Sequence, residues 1–290
     1  MNKLKIKKRY ILLIGILLFS FLWSTPVIFH WNNGKSISNG TSASGTLSNP
    51  YKMDLYGKNF SYFSFFSYYG LGMCFTSDRV YNCLKDCMKS LETSCAGKHF
   101  YIMELSRKNG GKSLLHNTHR AGLSVDLMVP KINKSGRQSL FYDRFGLLHY
   151  KLDFNADGKL TIDKSVQIDF ESLAKLIYEL INSASKNGLV LSRVIIRNEI
   201  RDNLLRTKTA AKFNHNLIVS YPANKFVNEM HDDHIHVDFR YRKKNSHENK
   251  KNNSNKFLPF NDSSFDSFHN LSQHSFFSSD QTRFAGSAIY

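Results

Sequence analysis

Acidic residues are scarce in this chain: 23 Asp and Glu stand against 40 Lys and Arg, a formal charge of +17 over 290 residues. That imbalance points to a polyanionic partner, whether nucleic acid, anionic lipid or the acidic polymers of a bacterial envelope, and by itself does not choose among them. No recognisable nucleic-acid-binding motif is present, so a nucleic-acid partner is not expected. No internal repeat is present either, which excludes a repeat architecture. Cysteine is sparse, and Cys74, Cys83, Cys87 and Cys95 are the only four. None forms a C-x-x-C pair, which argues against a four-cysteine zinc knot. An even number close together, behind an export-like N-terminus, instead predicts two disulfides with three possible pairings.

What is present begins with that N-terminus. Lys3, Lys5, Lys7, Lys8 and Arg9 precede an almost wholly apolar run from Ile11 to Trp23. A basic region followed by an apolar core reads as an export signal. No A-x-A cleavage site is visible. Counting Val27 to Phe29, the run approaches the roughly 20 residues that span a bilayer. Residues 1–30 are therefore expected to be a signal peptide or an N-terminal membrane anchor, and the protein periplasmic or otherwise extracytoplasmic. Residues 31–50, rich in Ser, Gly, Asn and Thr, read as a flexible linker. From 243 to 290 the sequence turns to Lys, Asn, Ser and His without periodicity, and is expected to be a disordered basic tail.

The body, residues 51–242, mixes periods. Residues 121–129 (AGLSVDLMV) read as a strand with Leu123, Val125, Leu127 and Val129 on one face. Residues 169–186 read as an amphipathic helix, with Asp169 as N-cap and Gly188 as its stop. Residues 189–196 read as a buried strand, 199–205 as a short helix and 234–239 (HIHVDF) as an alternating strand. The expected class is α+β, a small antiparallel sheet with helices packed against it.

Five of the chain's twelve histidines fall in two short segments, His116-Asn-Thr-His119-Arg-Ala-Gly-Leu-Ser-Val-Asp126 and His231-Asp-Asp-His234-Ile-His236-Val-Asp238. That concentration is what makes a metal site the expectation. Strand alternation puts His234, His236 and Asp238 on one face and Ile235, Val237 and Phe239 on the other. Asp126 likewise lies opposite Val125 and Leu127. Imidazole and carboxylate ligands carried on strands suit zinc, and three protein ligands leave a fourth position for water. Spacing alone leaves open which histidines bind.

The two segments resemble the signatures of the penicillin-insensitive murein endopeptidases, zinc enzymes related to lysostaphin-type and D-Ala-D-Ala peptidases. That pattern is His-x-x-His-Gln-x-Gly-Leu-x-x-Asp followed later by His-Asp-Asp-His-x-His-Val; this chain has HNTHRAGLSVD and HDDHIHV. The resemblance covers roughly residues 70–241. It implies a Zn2+ centre of His119, Asp126 and His236, with His234 as the catalytic histidine and His231 and His116 as further active-site histidines. Asp232 and Asp233 are either acceptors that orient imidazoles or a solvated turn. The implied reaction is hydrolysis of cross-links in peptidoglycan stem peptides. The alternatives are a D-Ala carboxypeptidase on the same peptides and a non-catalytic wall-binding module. Two positions depart from the pattern: Arg120 stands where glutamine is usual, and Ser124 where an acidic residue is common.

Residues 153–164 imitate the start of a calcium loop, with Asp153, Asn155, Asp157 and a glycine, Gly158, at the sixth position. The twelfth is Lys164 where the loop needs glutamate, so a polar β-turn between two strands is the better expectation.

Overall fold

A computed structural model describes residues 8–113 and 118–243. The expected tail, 243–290, lies outside them but for Lys243, as does His116. The first element, α1 (Lys8–Ile28), is a helix long and apolar enough to cross a membrane. Pro26 sits in its last turn, where its missing N–H removes one bond from the ladder.

The stretch expected to be a flexible linker contains a hairpin, β1 (Ile37–Gly40) and β2 (Gly45–Ser48). Leu47, 2% exposed, inserts into the core, and its N–H bonds to Asn109 O at 3.0 Å. One apolar side chain among Ser, Gly and Thr carries no period, so the composition hid a docked segment.

Short pieces follow: β3 (Tyr51–Lys52), β4 (Phe60–Tyr62), a π-helical turn at Phe66–Gly70 and β5 (Phe75–Thr76). Helix α2 (Asp78–Ser94) starts on the N-cap Ser77, whose side chain accepts from Val80 N. It buries Val80, Cys83, Leu84, Cys87, Met88 and Leu91, a stripe at helical spacing. Two of the four cysteines thus serve as core residues of a helix. No disulfide forms: Cys74, Cys83, Cys87 and Cys95 are all free and buried, which corrects the expected pairing. The thiols of Cys83 and Cys87 point at the carbonyls of Leu180 and Leu176 in the facing helix, not at one another.

Strands β6 (Phe100–Ile102), β7 (Ser124–Met128), β8 (Lys131–Asn133) and β9 (Val166–Ile168) come next. Helix α3 (Phe170–Lys186) is capped by Asp169, which accepts from Ser172 N at 3.1 Å and pairs with Lys98. Gly188 follows with φ 68°, a left-handed stop. Then come β10 (Leu189–Ile195), α4 (Asn198–Leu205), β11 (Ile218–Val219), α5 (Lys225–Glu229) and β12 (His234–Tyr241).

The chain is α+β, but the main sheet is six-stranded and mixed, in the order β11-β10-β12-β7-β6-β4, where a small antiparallel one was expected. The inner neighbours run antiparallel; β11 and β4 add at the edges in parallel. Edge strands of two or three residues are too short to show alternation, which is why the sequence concealed them. Helices α2 and α3 join Val125, Leu127, Ile235, Val237 and Phe239 in a single core. At residues 153–164 the turn closes as expected, Phe154 bridging Leu160 and Asn155 N bonding to Lys159 O.

Candidate metal centre

The two central strands bring the site together. Antiparallel pairing sets His236 directly across from Asp126 and Asp238 across from Ser124. The apolar alternates anchor each strand in the helix-covered core, so register alone forces the polar alternates onto one face. His119 comes from the loop before β7 and is held in a left-handed conformation, φ 61°. Gly122, three residues on, has φ 69°, and a Cβ there would meet Leu47 at 2.7 Å and Ser77 N at 2.9 Å. The turn that aims His119 therefore needs glycine at this position.

Three ligand atoms converge. His119 Nε2 lies 3.1 Å from His236 Nδ1 and 3.2 Å from Asp126 Oδ2. His236 Nδ1 lies 2.8 Å from Asp126 Oδ1. All three side chains are buried, and together they form a group that can hold a metal ion. A tetrahedral site with metal–ligand distances near 2.0–2.1 Å sets its donor atoms roughly 3.3 Å apart, and the observed triangle is only slightly tighter. Asp126 Oδ2, enclosed and without a hydrogen bond of good geometry, is a carboxylate oxygen that a cation would satisfy. The donor set fits a borderline metal such as zinc.

Around this triangle the sheet supplies a bracket that spacing did not reveal. His236 Nε2 is 3.1 Å from Asp238 Oδ1, so the ring presents one nitrogen to the centre and the other to a carboxylate. Asp238 is in turn held by Ser124 Oγ at 2.6 Å and Arg193 Nε at 2.5 Å. Ser124 thus supplies a hydrogen bond where an acidic residue would face Asp238 across the strand pair and repel it. Burial raises the Asp126 carboxyl, but the charge and hydrogen bonds of His119 and His236 overcome it and hold the group well below the usual carboxylate range. Burial lowers the His236 imidazole, yet Asp238 and Asp126 bring it up to about 10.

The remaining histidines sit beside the triangle. Asp233 Oδ1 is 2.6 Å from His234 Nδ1, and its charge and hydrogen bond outweigh burial to raise the His234 imidazole. His231 precedes β12; its Nδ1 donates to Val227 O at 2.6 Å, which makes Nε2 the acceptor nitrogen. Burial, then the neighbouring His234 and His236, push His231 down to about 3. The rings of His231 and His234 are 5.0 Å apart, those of His231 and His236 6.2 Å.

Asp232 and Asp233 are both buried, so the solvated-turn alternative fails. Asp232 accepts from Phe154 N at 2.9 Å and Arg197 Nη1 at 3.1 Å, fixing the turn; Asp233 serves His234. Two neighbours were missed because nothing in their local sequence marks them. Tyr150 packs edge-on to His234 at 5.4 Å with its hydroxyl enclosed, and Glu104, fully buried, accepts from Ser67 Oγ at 2.7 Å beside β7. Comparison with known protein families and with curated proteins returns no match for this chain.

Proposed function

We propose that this protein is an extracytoplasmic zinc metallopeptidase that hydrolyses peptide cross-links of bacterial peptidoglycan. One observation carries the metallopeptidase reading: His119 Nε2, the Asp126 carboxylate and His236 Nδ1 meet within 3.2 Å of one another in a buried pocket of donor atoms. The substrate class rests on the resemblance of HNTHRAGLSVD and HDDHIHV to the murein endopeptidase signatures. The basic charge and the N-terminal apolar helix are consistent with an anionic envelope outside the cytoplasm.

Zinc bound here would act as a Lewis acid toward a peptide carbonyl and acidify a water. The chain's own residues do the rest. Asp233 holds the Nδ1 proton of His234, which leaves Nε2 as the atom that takes a proton from the attacking water and returns one to the leaving amine. His231, with its own Nδ1 proton tied to Val227 O, offers Nε2 as an acceptor beside it. Ser124, Arg193 and Asp238 keep the His236 ring from turning. Burial of these groups limits bulk water around the reacting amide.

The test incubates the purified full-length chain with peptidoglycan, with and without a chelator, and identifies the products by mass. Chelator-sensitive loss of cross-linked dimers is the expected result. Loss of terminal alanine alone would replace the endopeptidase with a carboxypeptidase. Peptidoglycan left intact by zinc-loaded protein would refute hydrolysis and favour a wall-binding module.

A further inference from the structure

Helix α1 is exposed along most of its length, yet its last turn belongs to the body. Trp23 Nε1 donates to Gly70 O at 2.6 Å. Val27 is 4% exposed and joins the hydrophobic core, and Lys52 Nζ donates to Val27 O at 2.7 Å. Beyond the helix, Asn32 exchanges two hydrogen bonds with the backbone of Lys52, at 2.7 and 2.9 Å, and His30 Nε2 lies 2.8 Å from Pro50 O. A leader that is removed on export has no need of such contacts, and cutting near Ser24 would strip the Trp23 bond from the body.

The surface at this junction is aromatic. Gly70 closes the π-helical turn Phe66–Gly70, and the Phe66 ring lies against it, since a Cβ on Gly70 would be 3.0 Å from that ring. Phe66 and Trp23 therefore both adjoin Gly70. Phe65 and Phe66 are each 61% exposed, and Tyr56 packs edge-on to Phe65 at 6.2 Å. Tryptophan and tyrosine prefer the boundary between acyl chains and headgroups, phenylalanine lies on the apolar face of segments bound there, and basic residues stay on the cytoplasmic side of a span. The lysine cluster precedes the apolar run of α1 in the sequence and the body follows it, so that rule sets the body on the opposite, outer side.

We propose that α1 is retained as a membrane anchor and that Trp23, Phe65 and Phe66 form a rim seated in the bilayer interface, holding the body against the lipid. Continuity of the patch with the exposed apolar stretch of α1 from Ile11 to Trp23 is what commits it to lipid. An anchored body works only on substrate within reach of the membrane surface. The proposal stands whether or not the peptidase reading does, because it concerns none of the site residues.

The chain's only two tryptophans, Trp23 and Trp31, make the test direct. The full-length protein is reconstituted into phosphatidylcholine vesicles with brominated acyl chains. In Trp31→Phe, the emission of Trp23 is expected to be quenched by the brominated lipid relative to unbrominated vesicles, as that of an indole at the membrane interface is. Phe66→Cys, labelled with a polarity-sensitive dye, is expected to shift to the blue and be quenched by the same lipid; the four natural thiols are buried and stay unlabelled. A Phe66 label indifferent to the lipid overturns the rim. If that indifference accompanies self-association in detergent, the patch belongs to a second copy, which overturns it equally. The intact mass of protein taken from membranes is expected to include α1; a chain beginning beyond it overturns retention.

Discussion

His236 engages both of its ring nitrogens, Nδ1 with Asp126 at 2.8 Å and Nε2 with Asp238 at 3.1 Å, and this arrangement defines the centre at the scale of residues. His236→Ala is expected to abolish stoichiometric zinc and activity together; metal analysis showing full zinc in that variant would sink the ligand assignment. His234→Ala is expected to keep zinc and lose turnover by about 10²–10⁴, the range for a proton-transfer group. Ser124→Asp sets a second carboxylate where Ser124 Oγ now meets Asp238 at 2.6 Å. It is expected to weaken zinc binding about tenfold, as loss of an outer partner does, read by competition with a chromophoric chelator. Tyr150→Phe removes an enclosed hydroxyl that makes no hydrogen bond among the described residues, so stability should hold or rise by up to about 1 kcal/mol. Unchanged zinc content is the expected companion result, since phenylalanine keeps the ring that packs on His234.

Among the elements, α2 shows what the cysteines do. Cys83 and Cys87 sit in the stripe that meets α3, and burial pushes the thiols of both upward. The native protein is therefore expected to show no thiol reactive toward a disulfide reagent and the unfolded protein four. Two bridges would instead leave the unfolded, unreduced protein silent. Helix α1 raises the opposite issue. Its side chains from Ile11 to Trp23 are half or more exposed wherever they are large and apolar. At roughly 1.5–3 kcal/mol for each such side chain, leaving them in water forfeits on the order of 20 kcal/mol. Lipid removes that penalty.

For the molecule as a whole, pH acts through a buried group outside the cluster of His119, Asp126 and His236. His149 is fully buried among Lys131, Asp143 and Asp233, and burial, aided by the Lys131 charge, lowers it to about 4. Its folded value lies below the ordinary 6.5, so the neutral ring favours the folded state. That contribution is complete above pH 6.5 and drains away as pH falls toward 4, on the order of 3 kcal/mol in total. Thermal melts from pH 7 to pH 4 are expected to show the decline, and His149→Phe to flatten it. A variant as acid-sensitive as the parent would assign the decline to other groups.

Much of this was legible in the chain itself. Residues 169–186 and 234–239 announce a helix and a strand because their periods, caps and stop are local, and the structure has α3 and β12 there. The face of β12 that carries His234, His236 and Asp238 followed from alternation alone. Tertiary structure decided which atoms meet: His236 reaches Asp126 across 110 residues and His119 across 117, and no local period encodes a partner that distant. It decided the fate of the thiols, the docking of Leu47 and the parallel edge strands for the same reason. It also gave Ser124 its meaning. In sequence that serine is a departure from a resembled pattern; in the sheet it is the donor that lets Asp238 stand beside the His236 ring, because register placed the two opposite each other.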